Sequence, residues 1–483
     1  MLQFLIYFLG LVAIGLAGWV NRTFGDPTID QILFHLRFSD GAAVEMSTIF
    51  LFTFVVEVIA FPLLLAIAAA LLHHVVAQVR PQWRKHVLRA LPHVALLVGV
   101  AALLMQFSVF SYAAAQLEGD RFAQAYVNPA AVRLTDGKPR NLILIYAESM
   151  EDTYGEKALF GNDLLAPLRK LGGTSFDSYQ EAVGANWTMA AIVATQCGVP
   201  LTVYSEYDIK RRDGGRVFLP GATCLGDLLQ ARGYRNVFMG GAPLSFSGKG
   251  TFLRDHGYQE AYGRTQWKEQ GVKATELNVW GLYDSALFER ARNKLDALHA
   301  SGQPFNLTLL TLDTHNPRGF LSPSCASRGA KDFEGIVACS SSALADFVTF
   351  ARAKGYLKDT DVVILGDHLA KPNSAFDKLQ QEGQRRIFNL FIAPTRMQPN
   401  ARELVAFDIF PTVVEMLGTH VDGDRLGLGF SALAGSSDSL GIGRASRSDF
   451  ASLRGSGVYR ALWSPQHLPA AVHTKLAAAI AAK

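Results

Sequence analysis

Charge is scarce in this chain, and its scarcity is uneven. Only 18% of the 483 residues are charged, and the run Leu2–Val20 contains none. The formal net charge of +4 is small for this length and makes no case for a nucleic-acid partner. Cysteine is equally sparse: there are four, all beyond residue 190, and no two stand in a C-x-x-C spacing, which argues against a four-thiolate metal site. What the chain has in excess is apolar surface. It is 49% hydrophobic with a mean hydropathy of +0.15, so part of it must contact lipid.

The apolar excess is concentrated before about residue 115, in the runs Leu2–Val20, Ile49–Leu72 and Leu91–Ala113. Each approaches the roughly 20 residues of a spanning helix, so three transmembrane helices are expected. The first run has no basic flank before it and is followed by two more, which favours an anchor over a cleaved signal peptide. Between the second and third runs lie Arg80, Arg84, Lys85 and Arg89 without an acidic residue, whereas the stretch after the first mixes Arg22 and Arg37 with Asp26, Asp30, Asp40 and Glu45. The positive-inside rule puts the Arg80–Arg89 loop in the cytoplasm and everything after the third span outside. Within the second span, Glu57 is an expensive charge that either serves a function or pairs with a neighbouring helix, and Pro62 is expected to kink the helix. An exported address suits the cysteines, which read either as two disulfides, Cys197 with Cys224 and Cys325 with Cys339, or as four buried thiols.

From Asn141 the pattern becomes short apolar runs alternating with helical stretches, the mark of an α/β domain with a mainly parallel sheet. Strands are expected at Leu142–Ala147, Asn236–Met239, Phe305–Leu312, Val362–Leu365 and Leu390–Ala393. The division that follows is a membrane domain at 1–113, a juxtamembrane helix and linker at 114–140, a catalytic domain at 141–435, and a C-terminal extension at 436–483 with a terminal helix at Ala470–Ala482.

In open α/β sheets ligands gather beyond the carboxyl ends of the strands. Here those ends are reactive: Glu148 after the first strand, Asp313, Thr314, His315 and Asn316 after the third, Asp367 and His368 after the fourth. Taken singly, Glu148 or Asp367 reads as a helix cap and His368 as an interior histidine. Together Glu148, Asp367 and His368 supply two oxygens and a nitrogen, a donor set for one divalent ion, Mn or Zn with Mg also compatible. Thr188 is the candidate fourth ligand; by itself it would read as a helix N-cap, but beside a cation its hydroxyl becomes a nucleophile.

The series YAESMEDTY at 146–154, NWTMAAIVATQCGVPL at 186–201, CLGD at 224–227, WGLYD at 280–284, TLDTHNPRGF at 311–320 and LGDHLA at 365–370 resembles the sulfatase-fold phosphoglycerol transferases. It is nearest to those that decorate osmoregulated periplasmic glucans, with lipoteichoic acid synthase more distant. The resemblance implies an alkaline-phosphatase-like catalytic domain behind N-terminal transmembrane helices, in a bacterial inner membrane with the catalytic domain in the periplasm. It implies phosphatidylglycerol as donor and a periplasmic glucan or other glycan as acceptor. Residue by residue, Glu148, Asp367 and His368 match the family's metal ligands, Thr188 its metal-held nucleophile, and His315 a histidine that contacts phosphate and assists proton transfer. The four cysteines match cysteines of the glucan-modifying members, in the same two pairs. Lys249, in SFSGKGTF at 245–252, falls where lipoteichoic acid synthase places an arginine near glycerol phosphate; Asn316 and Trp280 are the remaining candidate substrate contacts, Trp280 reading also as a packing residue. Family members commonly continue beyond the catalytic domain, so acceptor choice by such an addition is not expected of a chain ending at Lys483. Phosphoethanolamine transfer by the same fold and a catalytically silent sensor are the competing readings. A true sulfatase is disfavoured, because Cys197-Gly-Val-Pro-Leu lacks the C/S-x-P-x-R context from which formylglycine is made.

Overall fold

The computed structural model describes residues 2–24, 27, 48–79, 82–107, 109–110, 119–202, 217–393, 397, 403–433 and 453–464. The expected helix at Ala470–Ala482 lies outside them.

Four described helices are long and apolar enough to cross a membrane. Three are N-terminal: α1 (Leu2–Phe24), α2 (residues 48–79) and α3 (Gln82–Gln106). They present large apolar side chains outward, among them Phe52, Leu64, Leu72 and Leu97, the last 68% exposed, a surface suited to lipid tails. These helices anchor the chain in a membrane. α1 packs on both others, and its seam with α3 is made of small residues: a side chain at Gly99 would lie 2.4 Å from the carbonyl oxygen of Gly10. α2 is interrupted at Val55–Ala60 by a π-helical stretch just before Pro62, whose missing N–H cannot continue the α ladder. Glu57 sits in that stretch and pairs with Arg22 of α1, so its charge is met by a neighbouring helix. The fourth apolar helix, Phe333–Ala353, belongs to the folded domain: Phe333, Val337, Leu344, Phe347, Val348 and Ala351 face its core.

The domain is built on a six-stranded sheet of β1 (Asn141–Ala147), β2 (Arg235–Gly240), β3 (Glu260–Tyr262), β4 (Phe305–Leu310), β5 (Thr360–Gly366) and β6 (Asn389–Ile392), in the order β3-β2-β4-β1-β5-β6. All neighbours are parallel except β5 and β6. Both faces are covered, which is why the strands read as unbroken apolar runs. In β1, Leu142, Leu144 and Tyr146 enter one core while Ile143, Ile145 and Ala147 enter the other. The five expected strands are present with ends shifted by one or two residues, β4 stopping at Leu310. β3 was not expected. It has three residues and no apolar run. Segment 453–464 returns to the body of the domain, where Leu453, Tyr459, Leu462 and Trp463 are buried with residues of α4 (Thr188–Cys197).

Candidate active site

The carboxyl ends of β1 and β5 lie side by side at the middle of the sheet, with Ala147 opposite Gly366. A side chain at Gly366 would stand 1.8 Å from the carbonyl oxygen of Met150, so glycine lets the turn after β1 close over the end of β5. Within that turn Ser149 takes a left-handed backbone (φ 53°), a costly conformation for a non-glycine residue. It returns two hydrogen bonds: its amide donates to Asp367 Oδ1 at 2.7 Å and its hydroxyl to Glu148 Oε1 at 2.8 Å.

Ligand atoms of Glu148, Asp367 and His368 all lie within 4.8 Å of one another, and all three residues are buried. His368 Nε2 is 3.6 Å from Glu148 Oε1 and 3.4 Å from Asp367 Oδ2. Its Nδ1 is 2.9 Å from the carbonyl oxygen of Leu369; a proton on Nδ1 leaves the Nε2 lone pair facing the carboxylates. Asp367 Oδ2 is buried without a hydrogen-bond partner. Burial and then the Asp367 charge push Glu148 up to about 8, the His368 ring opposing them in part. Two converging carboxylates, an orphaned oxygen and an aimed imidazole nitrogen fit a divalent cation, which would reverse that electrostatic penalty. Two further groups of potential ligands among the described residues fit less well. Cys224, near Asp227 and His256, is held in a disulfide, and in the Glu415, His420 and Asp424 group the histidine is exposed and the two carboxylates are only half-buried.

Thr188 is the first residue of α4, with its hydroxyl 3.4 Å from Glu148 Oε2 and 3.5 Å from His368 Nε2. α4 is buried on every side over its remaining nine residues, and its far end is fixed twice. Cys197 is disulfide-bonded to Cys224, while Thr195 and Gln196 meet the hydroxyl of Tyr146 at 2.7 and 3.3 Å. Cys325 and Cys339 form the second disulfide. Tyr146, Thr195 and Gln196 lie within the segments that carry the family resemblance, and nothing in the sequence assigned them a role, yet they set where the nucleophile candidate stands.

Lys249 opens the helix Lys249–Asp255 and is 4% exposed. Burial lowers its pKa to about 8, against the pull of Glu148 and Asp367, which places its ammonium within their field. His315 is lowered by burial as well, opposed by its bond to Asn316 and by Asp367. Its Nδ1 lies 2.8 Å from the Asn316 carbonyl oxygen, so that contact does not engage Nε2. Trp280 packs against Phe246 at 5.1 Å and against the His315 ring at 6.1 Å. Asn316 is brought elsewhere: its side-chain amide donates to the carbonyl oxygen of Thr23, in the last turn of α1, at 2.9 Å. Behind the site, the fully buried Glu151 receives Arg385 and the amide of Ala370, tying the turn after β1 to the loop after β5.

The chain is similar to phosphoglycerol transferase I of Escherichia coli O127:H6, at 37% identity over 334 residues, 66% of this chain and 42% of the relative; it thus spans less than half the length of that curated relative. Among solved structures it is similar to the lipoteichoic acid synthase LtaP from Listeria monocytogenes (19% identity, TM-score 0.48, 63% of this chain and 79% of that one). It is also similar to an alkaline phosphatase superfamily protein from Vibrio parahaemolyticus (19% identity, TM-score 0.47, 70% and 76%). The sequence model of the sulfatase family matches residues 140–419, from the first residue before β1 to beyond the loop that carries Asp367 and His368. With more than half its length matched in this way, the chain belongs to the sulfatase family, behind an N-terminal set of membrane helices.

Proposed function

We propose that this chain is a phosphoglycerol transferase of the bacterial inner membrane. In this reading it moves sn-glycerol-1-phosphate from phosphatidylglycerol, through Thr188, to a periplasmic glucan or other glycan acceptor. The observation that carries the reading is the Thr188 hydroxyl standing at the N-terminus of a buried helix within 3.5 Å of both Glu148 and His368. The name of the E. coli relative supports the choice of transferred group. The Arg80–Arg89 loop supports a periplasmic catalytic domain.

Glu148, Asp367 and His368 would hold one divalent cation, Mn or Zn with Mg also compatible, which would favour the ionised Thr188 hydroxyl and draw charge from the phosphoryl oxygens. Thr188 Oγ forms a bond to phosphorus as the bond to the diacylglycerol oxygen breaks; Thr188 gives up a proton and the leaving oxygen gains one. In the second half the acceptor hydroxyl loses a proton, its oxygen takes the phosphoryl group, and Thr188 is reprotonated. His315 Nε2 carries the proton in each half, accepting it as the neutral ring that burial favours. Lys249 meets the negative phosphoryl group. Trp280 lies tilted beside His315 and limits where the glycerol moiety can lie.

The test is to incubate the full chain, in vesicles containing phosphatidylglycerol labelled in the headgroup, with and without a periplasmic glucan. Label on Thr188, released to the glucan, is expected. Label that never reaches the protein, or a phosphoethanolamine adduct on Thr188 from mixed vesicles, overturns the assignment.

A further inference from the structure

The bond between Asn316 and Thr23 joins residues 293 positions apart, one in the loop of the candidate catalytic histidine and one at the end of a membrane helix. Carbonyl groups in the last turn of a helix have no amide partner within the helix. The Asn316 side chain fills that role for Thr23 from outside, as a cap supplied by the catalytic domain. Both sides of this contact are stiff. On the membrane side, the same turn of α1 is tied to α2 by the Arg22–Glu57 ion pair and by Trp19 Nε1 donating to Thr53 Oγ1 at 3.3 Å. On the catalytic side, the Phe320 amide donates to Asp313 O at 2.7 Å and the Gly319 amide to His315 O at 2.9 Å, while Thr314 Oγ1 donates to Glu148 O at 2.5 Å.

We infer that Asn316 is a positioning residue that fastens the active-site loop to the outer end of α1, fixing the height of the phosphoryl site above the bilayer at the level of glycerophospholipid phosphates. The side-chain amide sets the height, whereas the His315 ring is held by the backbone carbonyl of Asn316, which substitution of the side chain leaves in place. Loss of the side chain therefore acts on substrates that sit in a membrane more than on those that diffuse to the site. The inference rests on the proposed reading of the site in one respect, that the substrate's phosphodiester lies in a bilayer.

The test uses the full chain in lipid nanodiscs, with two substrates for each variant: phosphatidylglycerol in the disc and soluble bis(p-nitrophenyl) phosphate. For Asn316→Ala the ratio of bilayer to soluble turnover is expected to fall about tenfold. For Asn316→Gln, which keeps a donor on a longer arm, it should recover in part. A ratio that stays at the wild-type value overturns the inference, since a substrate ligand or a merely structural residue would lower both rates together. Docking is read independently of activity by cross-linking Thr23→Cys to Arg318→Cys with a short bismaleimide, which is expected to proceed in the intact chain; absence of the cross-link overturns the docking. Cross-linking in a protein that leaves phosphatidylglycerol untouched would instead count against the proposed function and leave the docking standing.

Discussion

The sheet carries two clusters of buried polar side chains, and they are built on opposite rules. Below the centre of the sheet, Asn236, Asn306, Thr308, Tyr258, Gln196, Tyr146 and Thr195 form a connected network in which each side chain has partners. Asn236 donates to the carbonyls of Gly226 and Gly257, Asn306 bonds Asn236 and Tyr258, and Tyr258 reaches Gln196 and Thr308. At the carboxyl ends, Glu148, Asp367, His368 and Thr188 crowd two like charges, leave Asp367 Oδ2 without a partner and require a left-handed serine. A satisfied buried network adds rigidity and specifies one packing, whereas an unsatisfied one stores free energy that a ligand can release. The first cluster positions α4 and the second uses what α4 presents, so stability and reactivity are divided between neighbours a few residues apart.

That division is broken most sharply by Thr188→Ala. We expect turnover to fall at least about a thousandfold, since the proposed attacking group is gone, with the thermal midpoint in chelator unchanged within about 2 °C because only two long hydrogen bonds, of 3.4 and 3.5 Å, are lost. Calorimetry alongside headgroup release from phosphatidylglycerol checks both. Asn306→Ala should do the reverse, costing about 2 to 4 kcal/mol by leaving the buried Asn236 Oδ1 without its donor and opening a cavity while the rate per folded molecule changes little; urea unfolding and active-site titration separate the two. In chelated protein, Asp367→Asn is expected to stabilise by about 1 to 2 kcal/mol, because it removes the charge nearest Glu148, while abolishing metal binding. Glu148 sharpens the same point through pH. Its folded pKa lies above its ordinary value of 4.5, so between 4.5 and about 8 the folded state binds more protons than the unfolded one. Stability of chelated protein should therefore fall as pH rises through that window, and saturating Mn or Zn should flatten the slope. A stability that rises across it would contradict the crowding of charge. The smallest effect is expected at the sheet edge. There burial opposes the charge of Glu260, but hydrogen bonds from Lys294, Tyr262 and Arg235 hold it down to about 2. Its contribution is present above pH 4.5 and lost as pH falls toward 2. After solvent screening, Glu260→Gln should cost about 1 kcal/mol at pH 7 and less at pH 3, by denaturant titration.

Legibility in the sequence followed locality. β1 and β5 could be read because both faces are buried, which makes each an unbroken apolar run ending in a carboxylate, and the motifs around them carried the family resemblance. The short edge strand Glu260–Tyr262 could not, because its place depends on pairing with β2 rather than on its own side chains. The helix Phe333–Ala353 has the apolar content of a membrane span; only its packing in the core distinguishes it from one. The contact of Asn316 with Thr23 was not legible, and the residue read instead as a substrate candidate, since its partner is a backbone atom nearly 300 residues away.

The sequence by itself determined which segments are apolar enough for lipid, five of the six strands of the sheet, and which side chain stands at the end of each of those, because hydrophobic pattern and chain order fix them locally. Tertiary structure alone decided the distances at which Thr188 meets Glu148 and His368, that Tyr146 and Gln196 hold the helix that carries it, and that the loop of His315 and Asn316 rests on a membrane helix. Those contacts join residues far apart in the chain, and their distances depend on how the layers pack.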